Sequence, residues 1–306
     1  MQEKKSWSSV LKRDLTMNKW KYIMILPVII YISVFCYKPM YGIIIAFKNY
    51  RPALGVMDSP WVGFRHFVTF FKDYNFVSIL RNTFTISGLN ILFGFPAPII
   101  LALLINEIRN TKFKRIVQTI SYMPYFISIV IICGLIKTFT QSDGIISEMV
   151  VMGGAKVNLL ANKHWFYPIY IISNIWQYIG WDSIIYLAAL SGIDQEQYEA
   201  AKVDGAGRLR QIISVTLPGL MPTITILFIL KMGSILNVGF EKILLLYSPT
   251  TYDVADVIST YVYRIGILDA NYSYSAAIGL FNSIVNIVFL LLTNTICKKV
   301  NNSGLF

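Results

Sequence analysis

Charge is scarce in this sequence. Only 14% of its 306 residues are Asp, Glu, Lys or Arg, while 55% are hydrophobic, a balance no single water-facing core can accommodate. Cysteine is also scarce: Cys36, Cys133 and Cys297 sit far apart in apolar stretches, a spacing that supports neither a disulfide framework nor a zinc cluster. The two histidines, His66 and His164, stand in different loops without a neighbouring ligand type, so no metal is implied. Several chemical signatures are missing as well. The sequence has no G-x-x-x-x-G-K-[ST] loop to cradle ATP phosphates, no H-E-x-x-H and no G-x-S-x-G, so it reads as a non-catalytic chain that binds no cofactor of its own.

Long apolar blocks are present instead. Six can be drawn, at 23–47, 83–105, 116–140, 165–191, 219–246 and 275–297, each near the roughly 20 residues that cross a bilayer as a helix. The expected fold is an all-α, polytopic membrane protein with six transmembrane helices, because lipid cannot satisfy the backbone of an open strand. The first block follows Lys4, Lys5, Lys12, Arg13, Lys19 and Lys21 but has no A-x-A site after it, so it reads as a signal anchor.

The formal charge of +11 is dispersed, with no basic stripe interleaved with aromatics, which argues against a nucleic-acid partner. It records orientation instead. The basic N-terminal arm, the turn with Arg109, Lys112, Lys114 and Arg115, and the pair Lys298–Lys299 mark the cytosolic side, so both termini are expected there. The segments 141–164 and 247–274 are cation-poor and belong outside; the outer loop 48–81, with five cations, is a local exception. Trp20, Trp61, Tyr74, Trp165 and Tyr167 near span ends read as interfacial anchors. Pro96 and Pro98 beside Gly94, and Pro124, are expected to bend spans two and three.

One cytosolic stretch is long and polar, residues 192–218. Asp194 and Gln197 predict a capping box, 195–203 a helix, Gly205 its stop, and 208–215 a second short helix before Pro218 turns the chain into span five. The small residues Ala200, Ala201, Gly205, Ala206 and Gly207 let another protein approach, and Glu199 and Asp204 offer charge-assisted contacts.

In this stretch the chain resembles the permeases of binding-protein-dependent ABC importers, whose signature is E-A-A-x3-G-x9-I-x-L-P. Here it reads Glu199, Ala200, Ala201, Gly205, Val215, Leu217 and Pro218, with Val215 for isoleucine as the one departure, and Asp204 and Ala206 fit its D-G-A core. A looser likeness, through Asn237, Gly239, Phe240, Glu241, Pro249, Asp256, Thr260, Tyr261 and Tyr263, points to the carbohydrate branch and its polysaccharide and oligosaccharide subgroup.

The resemblance implies a type I importer permease in a bacterial cytoplasmic membrane. Its partners would be a second homologous permease (a heterodimer), two ATPase subunits that carry ATP and Mg, an extracellular solute-binding lipoprotein, a sugar and lipid. The implied division is an arm at 1–22, a first helix and outer loop at 23–75, a five-helix core at 76–297 containing the coupling loop 192–218, and a tail at 298–306. An importer of another solute (amino acid, peptide or polyamine) and a secondary transporter stay open as alternatives.

A sugar path needs hydrogen-bonding groups and aromatic faces inside the bundle. The candidates are Asn174, Trp176, Gln177, Tyr178, Trp181, Asp182 and Tyr186 in span four, Lys231, Asn237 and Glu241 in span five, and Asn282 and Asn286 in span six. For Asp182, Lys231 and Glu241 the alternative is an interhelical ion pair or a contact to a partner subunit.

Overall fold

A computed structural model of the chain describes residues 14–150, 157–301 and 303–306. The expectations for Lys4, Lys5, Lys12 and Arg13 lie outside the described residues. Among those described, helices dominate and pairing is confined to two isolated bridges, Lys48 with Trp61 and Arg51 with Gly55.

Helix α1, Lys19–Phe47, is apolar and long enough to cross a membrane, and none of its most apolar stretch is buried within the chain. Its final turns, Tyr41–Phe47, pack on the C-terminal helix. The outer loop is pinned beside that contact by the Val62 N–H donating to Phe47 O at 2.9 Å and the Tyr50 N–H donating to Ser273 Oγ at 2.8 Å. Its short helix α2, Arg65–Phe71, buries Phe70 against Phe76, Tyr274 and Phe281. Trp20, Trp61 and Tyr74 stay exposed.

Helix α3, Phe76–Glu107, is continuous through the two prolines. Pro96 has no N–H and its ring crowds the carbonyl four residues back, and the helix accommodates this with a widened π turn over Asn90–Gly94, where the Phe95 N–H reaches back to Asn90 O at 2.9 Å. That turn points the polar Asn90 inward.

Helix α4, Thr111–Phe126, starts on Asn110, whose side chain accepts from the N–H groups of Lys112 and Phe113. The bend expected in the span at 116–140 is a full break. Pro124 begins a tight turn, Ile127 is extended, and α5, Ile129–Thr140, leaves at 96° to α4.

Helix α6, Lys163–Ser191, is 29 residues long and packs on α3. Its glycine at 180 carries the crossing with α4: a Cβ there would lie 2.0 Å from Ser121 O and 2.9 Å from Tyr122 N. Only a residue without a side chain lets two backbones approach so closely, which is how helices pack where lipid removes the hydrophobic drive between them.

Helix α7, Gln195–Val203, is the expected short helix. The next two expectations need correction. No turn forms at Pro218: α8 runs unbroken over Arg208–Met232, because a π turn over Ile212–Thr216 takes up the proline that follows it. Nor does a single span cover 219–246. The helix stops at Met232, the chain turns through Gly233–Gly239, and α9, Phe240–Leu246, is a separate element. The break is held by side chains of the last helix, since the Leu236 N–H donates to Asn286 Oδ1 at 3.0 Å.

Helix α10, Ile258–Tyr263, continues in a widened turn to Leu268, and α11, Tyr272–Asn301, closes the bundle. Among the described residues four helices (α1, α3, α8 and α11) are long and apolar enough to cross a membrane, and the bent pair α4–α5 makes five. Apolar side chains gather in three clusters, around Phe166 and Ile243, around Phe70 and Leu236, and around Ala102 and Leu220.

Candidate coupling segment and transport cavity

The segment 192–218 is built from local hydrogen bonds. Asp194 caps α7 by accepting from the Glu196 N–H at 3.0 Å, so the cap partner is Glu196 where a capping box would use residue 197. At the other end Gly205 has φ +75°, the Ala206 N–H donates to Ala201 O at 2.8 Å, and the Gly205 N–H donates to Lys202 O at 3.0 Å. Those paired bonds form a Schellman stop, which a left-handed glycine supplies without Cβ strain.

Two bonds hold α7 against α8. Gln211 Nε2 donates to Ala206 O at 2.7 Å, and the Tyr198 and Thr216 hydroxyls meet at 3.1 Å. The signature residues therefore divide by role in the fold. Glu199, Ala200, Asp204 and Gly205 are exposed on the hairpin with Val203, whereas Val215 is buried, Leu217 half-buried and Pro218 exposed on α8; Ala201 and Ala206 are half-buried in the turn. Arg208 pairs with Glu107 at 3.2 Å, tying the hairpin to the end of α3.

A cavity of about 930 Å³ opens between α3, α6 and the α8–α9 break. Eight of the twelve expected path residues line it: Asn174, Tyr178, Trp181, Asp182 and Tyr186 from α6, and Lys231, Asn237 and Glu241 from the break and its flanks. The α6 positions recur at helical spacing, so one face of that helix supplies the polar wall.

The other four stand elsewhere. Trp176 is 48% exposed on another face of α6. Gln177 is buried and accepts a long hydrogen bond, 3.4 Å, from Lys242 Nζ. Asn282 and Asn286 lie behind the cavity wall, donating to Asn237 Oδ1 at 2.9 and 3.4 Å. They act as a polar ladder that fixes the break, because backbone freed inside a bundle must find side-chain partners.

Asn90, Tyr170 and Lys242 are among the lining residues that the sequence pattern did not single out. Asn90 arrives through the π turn and accepts from Asn174 Nδ2 at 3.0 Å; Tyr170 and Lys242 form part of the inner wall, with the Lys242 ammonium 5.8 Å from the Tyr170 ring centre. The lysine beside Glu241 was visible as a charge in an apolar run, while Asn90 carried no local signal. Next to the cavity, Tyr125 stacks on Trp181 at 4.4 Å, with Phe126 edge-on to the same indole.

Toward the outer loop a second polar group forms. Asp73 accepts from Tyr261 Oη at 2.6 Å, Tyr274 Oη at 3.0 Å and the Asn75 N–H at 2.8 Å. Burial works against its charge, but the bonds from Tyr261, Asn75 and Tyr274 outweigh that and hold the carboxyl below its ordinary value. Beside it Arg264 makes a two-pronged pair with Asp256, at 2.5 and 3.3 Å, while Asp256 also accepts from Thr260 at 2.8 Å. Asp256, Thr260 and Tyr261 thus sit in a structural clasp outside the cavity lining.

A polar helical hairpin and a polar cavity inside an apolar helical bundle are the parts of a solute permease. The chain belongs to the family of binding-protein-dependent transport system inner membrane components, whose profile matches residues 94–302.

Similar proteins include Protein LplB of Bacillus subtilis (strain 168), 45% identical over 98% of this chain and 94% of that protein. The polygalacturonan/rhamnogalacturonan transport system permease protein YteP of the same organism is 45% identical over 95% of this chain and 92% of its own length. Among solved structures, a chain of a bacterial ABC transporter involved in the import of the acidic polysaccharide alginate superimposes with a TM-score of 0.87. It is 47% identical, covering 95% of this chain and 99% of that one. A chain of a bacterial alginate ABC transporter in complex with alginate pentasaccharide-bound periplasmic protein is 46% identical, with a TM-score of 0.87 over 96% of this chain and 99% of that one.

Proposed function

We propose that this chain is a permease subunit of an ATP-driven oligosaccharide importer in a bacterial cytoplasmic membrane. The observation that carries the reading is the cavity of about 930 Å³, walled by Asn174, Asn237 and the rings of Tyr178 and Trp181. Hydroxyl-rich rings need hydrogen-bonding groups beside apolar faces, and this wall offers both. The polysaccharides carried by the similar transporters support the same cargo class.

In this reading α6 makes the sixth crossing. Its 29 residues span about 44 Å at 1.5 Å each, and its polar face is turned to the cavity. Both termini are cytosolic, and residues 76–297 form the core, with the arm, first helix with outer loop, and tail around it. The chain is non-catalytic: a second permease completes the path, a binding protein delivers the sugar, and two ATPase subunits hold ATP and Mg. The exposed face of Glu199, Ala200, Val203, Asp204 and Gly205 docks on one ATPase, and ATP-driven closure of the pair swings the bundle toward the outside.

Glu199→Lys tests the docking assignment in proteoliposomes containing the whole transporter. Reversing that charge is expected to lower ATPase co-purification and sugar uptake together, by about tenfold or more. Unchanged docking and uptake would sink the coupling role. Uptake driven by an ion gradient without any ATPase would sink the importer reading.

A further inference from the structure

The cavity wall holds one ammonium group whose surroundings are incomplete. Lys242 is 2% exposed, yet it borders the cavity. Its described polar contact is the 3.4 Å bond to Gln177 Oε1, and the Tyr170 ring is its aromatic neighbour. Among the described residues no carboxylate forms an ion pair with it. An ammonium carries three donors, and a cation removed from water is stable only when an anion or several acceptors answer it.

The other charges of the cavity do not supply that answer. Asp182 and Glu241 line the same cavity, but neither makes an ion pair with Lys242, and Glu241, though next in sequence, is exposed. Lys242 is therefore the buried cation of the site left without a counter-charge, facing a space large enough for sugar rings. An ionisable group buried in a membrane bundle generally marks the path of what is carried.

We infer that Lys242 is a carboxylate-recognition point, and that the oligosaccharide taken by this cavity contains acidic sugar units. A uronate carboxylate at the wall would accept a charge-assisted hydrogen bond from the Lys242 ammonium. The sugar's apolar face would lie against an aromatic of the same wall, Tyr170 or Tyr178. A neutral sugar would leave the cation unanswered, so selection arises from the cost of the wrong cargo as well as the gain from the right one. This inference rests on the oligosaccharide reading above and narrows it.

The test uses the assembled permease–ATPase complex without binding protein, with trigalacturonate, its methyl ester and maltotriose as probes. Equilibrium binding is read by the fluorescence of the tryptophans, Trp181 among them. The intact complex is expected to bind the free acid about tenfold more tightly than the ester, with that preference shrinking as salt is raised. Lys242→Gln is expected to erase the preference and Lys242→Arg, which keeps the charge, to retain most of it.

Equal binding of acid and ester by the intact complex would overturn the inference. A preference that survives in Lys242→Gln would do the same, as would a parallel loss for all probes in both variants. Should Lys242→Gln fail to assemble, the acid preference of the intact complex and of Lys242→Arg decides. Maltotriose binding with no preference for the acid overturns this inference alone. Failure to bind or import any of the three sugars removes the oligosaccharide reading with it.

Discussion

The polar hairpin and the cavity wall follow one another along the chain, at 192–218 and 219–246, and are built on opposite principles. The hairpin takes its shape from bonds between residues close in sequence, Asp194 to Glu196, Ala206 to Ala201 and Gln211 to Ala206, and the Arg208–Glu107 pair ties it to α3. The cavity wall is held by distant groups, with Asn286 bonded to Leu236 and Gln177 to Lys242. A segment that keeps its own shape can move as a lever. A wall whose shape is set by three helices changes when any of them shifts, which suits a path that must open and close.

If that contrast is right, damage to the wall should propagate through the bundle. The largest effect is expected from Gly180→Ala. Its Cβ would meet the Ser121 carbonyl at 2.0 Å and the Tyr122 nitrogen at 2.9 Å, both backbone atoms at the crossing beside the 96° break. Overpacking costs about 1–3 kcal/mol where side chains can yield, and more where they cannot. Membrane-inserted protein and its melting temperature should both fall sharply. Wild-type levels would show that the crossing is looser than the structure has it.

Gly205→Val should act differently, leaving the bundle folded and disabling the hairpin. No atom within 4 Å would meet a Cβ there, so conformation rather than space is the obstacle: φ is +75°. A β-branched residue in that region costs about 1–2 kcal/mol, enough to undo the stop of α7. Uptake is expected to fall about tenfold with the melting temperature nearly unchanged. Gly205→Asn, which tolerates a left-handed backbone, should retain more uptake. Equal loss from both variants would place the requirement on close approach by the ATPase instead of on backbone shape.

The same contrast explains what the sequence could disclose. Helix α7 and its Gly205 stop were legible because capping and glycine chemistry act within a few residues. The bend of span three was legible too, through Pro124, but its sharpness of 96° and the stop at Met232 were not. Apolar composition continues through Met232, and the interruption there is stabilised by a residue far away in sequence, Asn286. For the same reason Asn282 and Asn286 looked like path residues, although they serve the break, and Asn90 and Lys242 went unnoticed. Polarity inside a span shows that a group has a partner without saying whether the partner is backbone, side chain or cargo.

Asn286→Ala probes the remote support directly. It strands the N–H of fully buried Leu236, a loss of about 1–3 kcal/mol, and also removes one bond to Asn237 at the cavity edge. Stability and sugar affinity should decline together, whereas Gly205→Val should separate uptake from stability. A variant that lost stability with unchanged affinity would show that Asn237 keeps its place without the ladder.

The smallest effect belongs to the outer clasp. Tyr261→Phe deletes the 2.6 Å bond to Asp73, and because Asp73 is half-exposed, water can replace the hydroxyl, leaving a loss of about 1 kcal/mol. Its pH dependence is the sharper readout. The Asp73 carboxyl sits below its ordinary value, so its charge stabilises the folded chain above the unfolded value of about 4. That contribution disappears as pH falls through the lower folded value. The melting-temperature gap between wild type and Tyr261→Phe should therefore be full near neutrality and narrow as pH drops below about 4. A gap that stayed constant across that range would mean that the Tyr261 hydroxyl does not serve the carboxylate, and that the outer loop is held to α11 by its other contacts, the Tyr50–Ser273 bond among them.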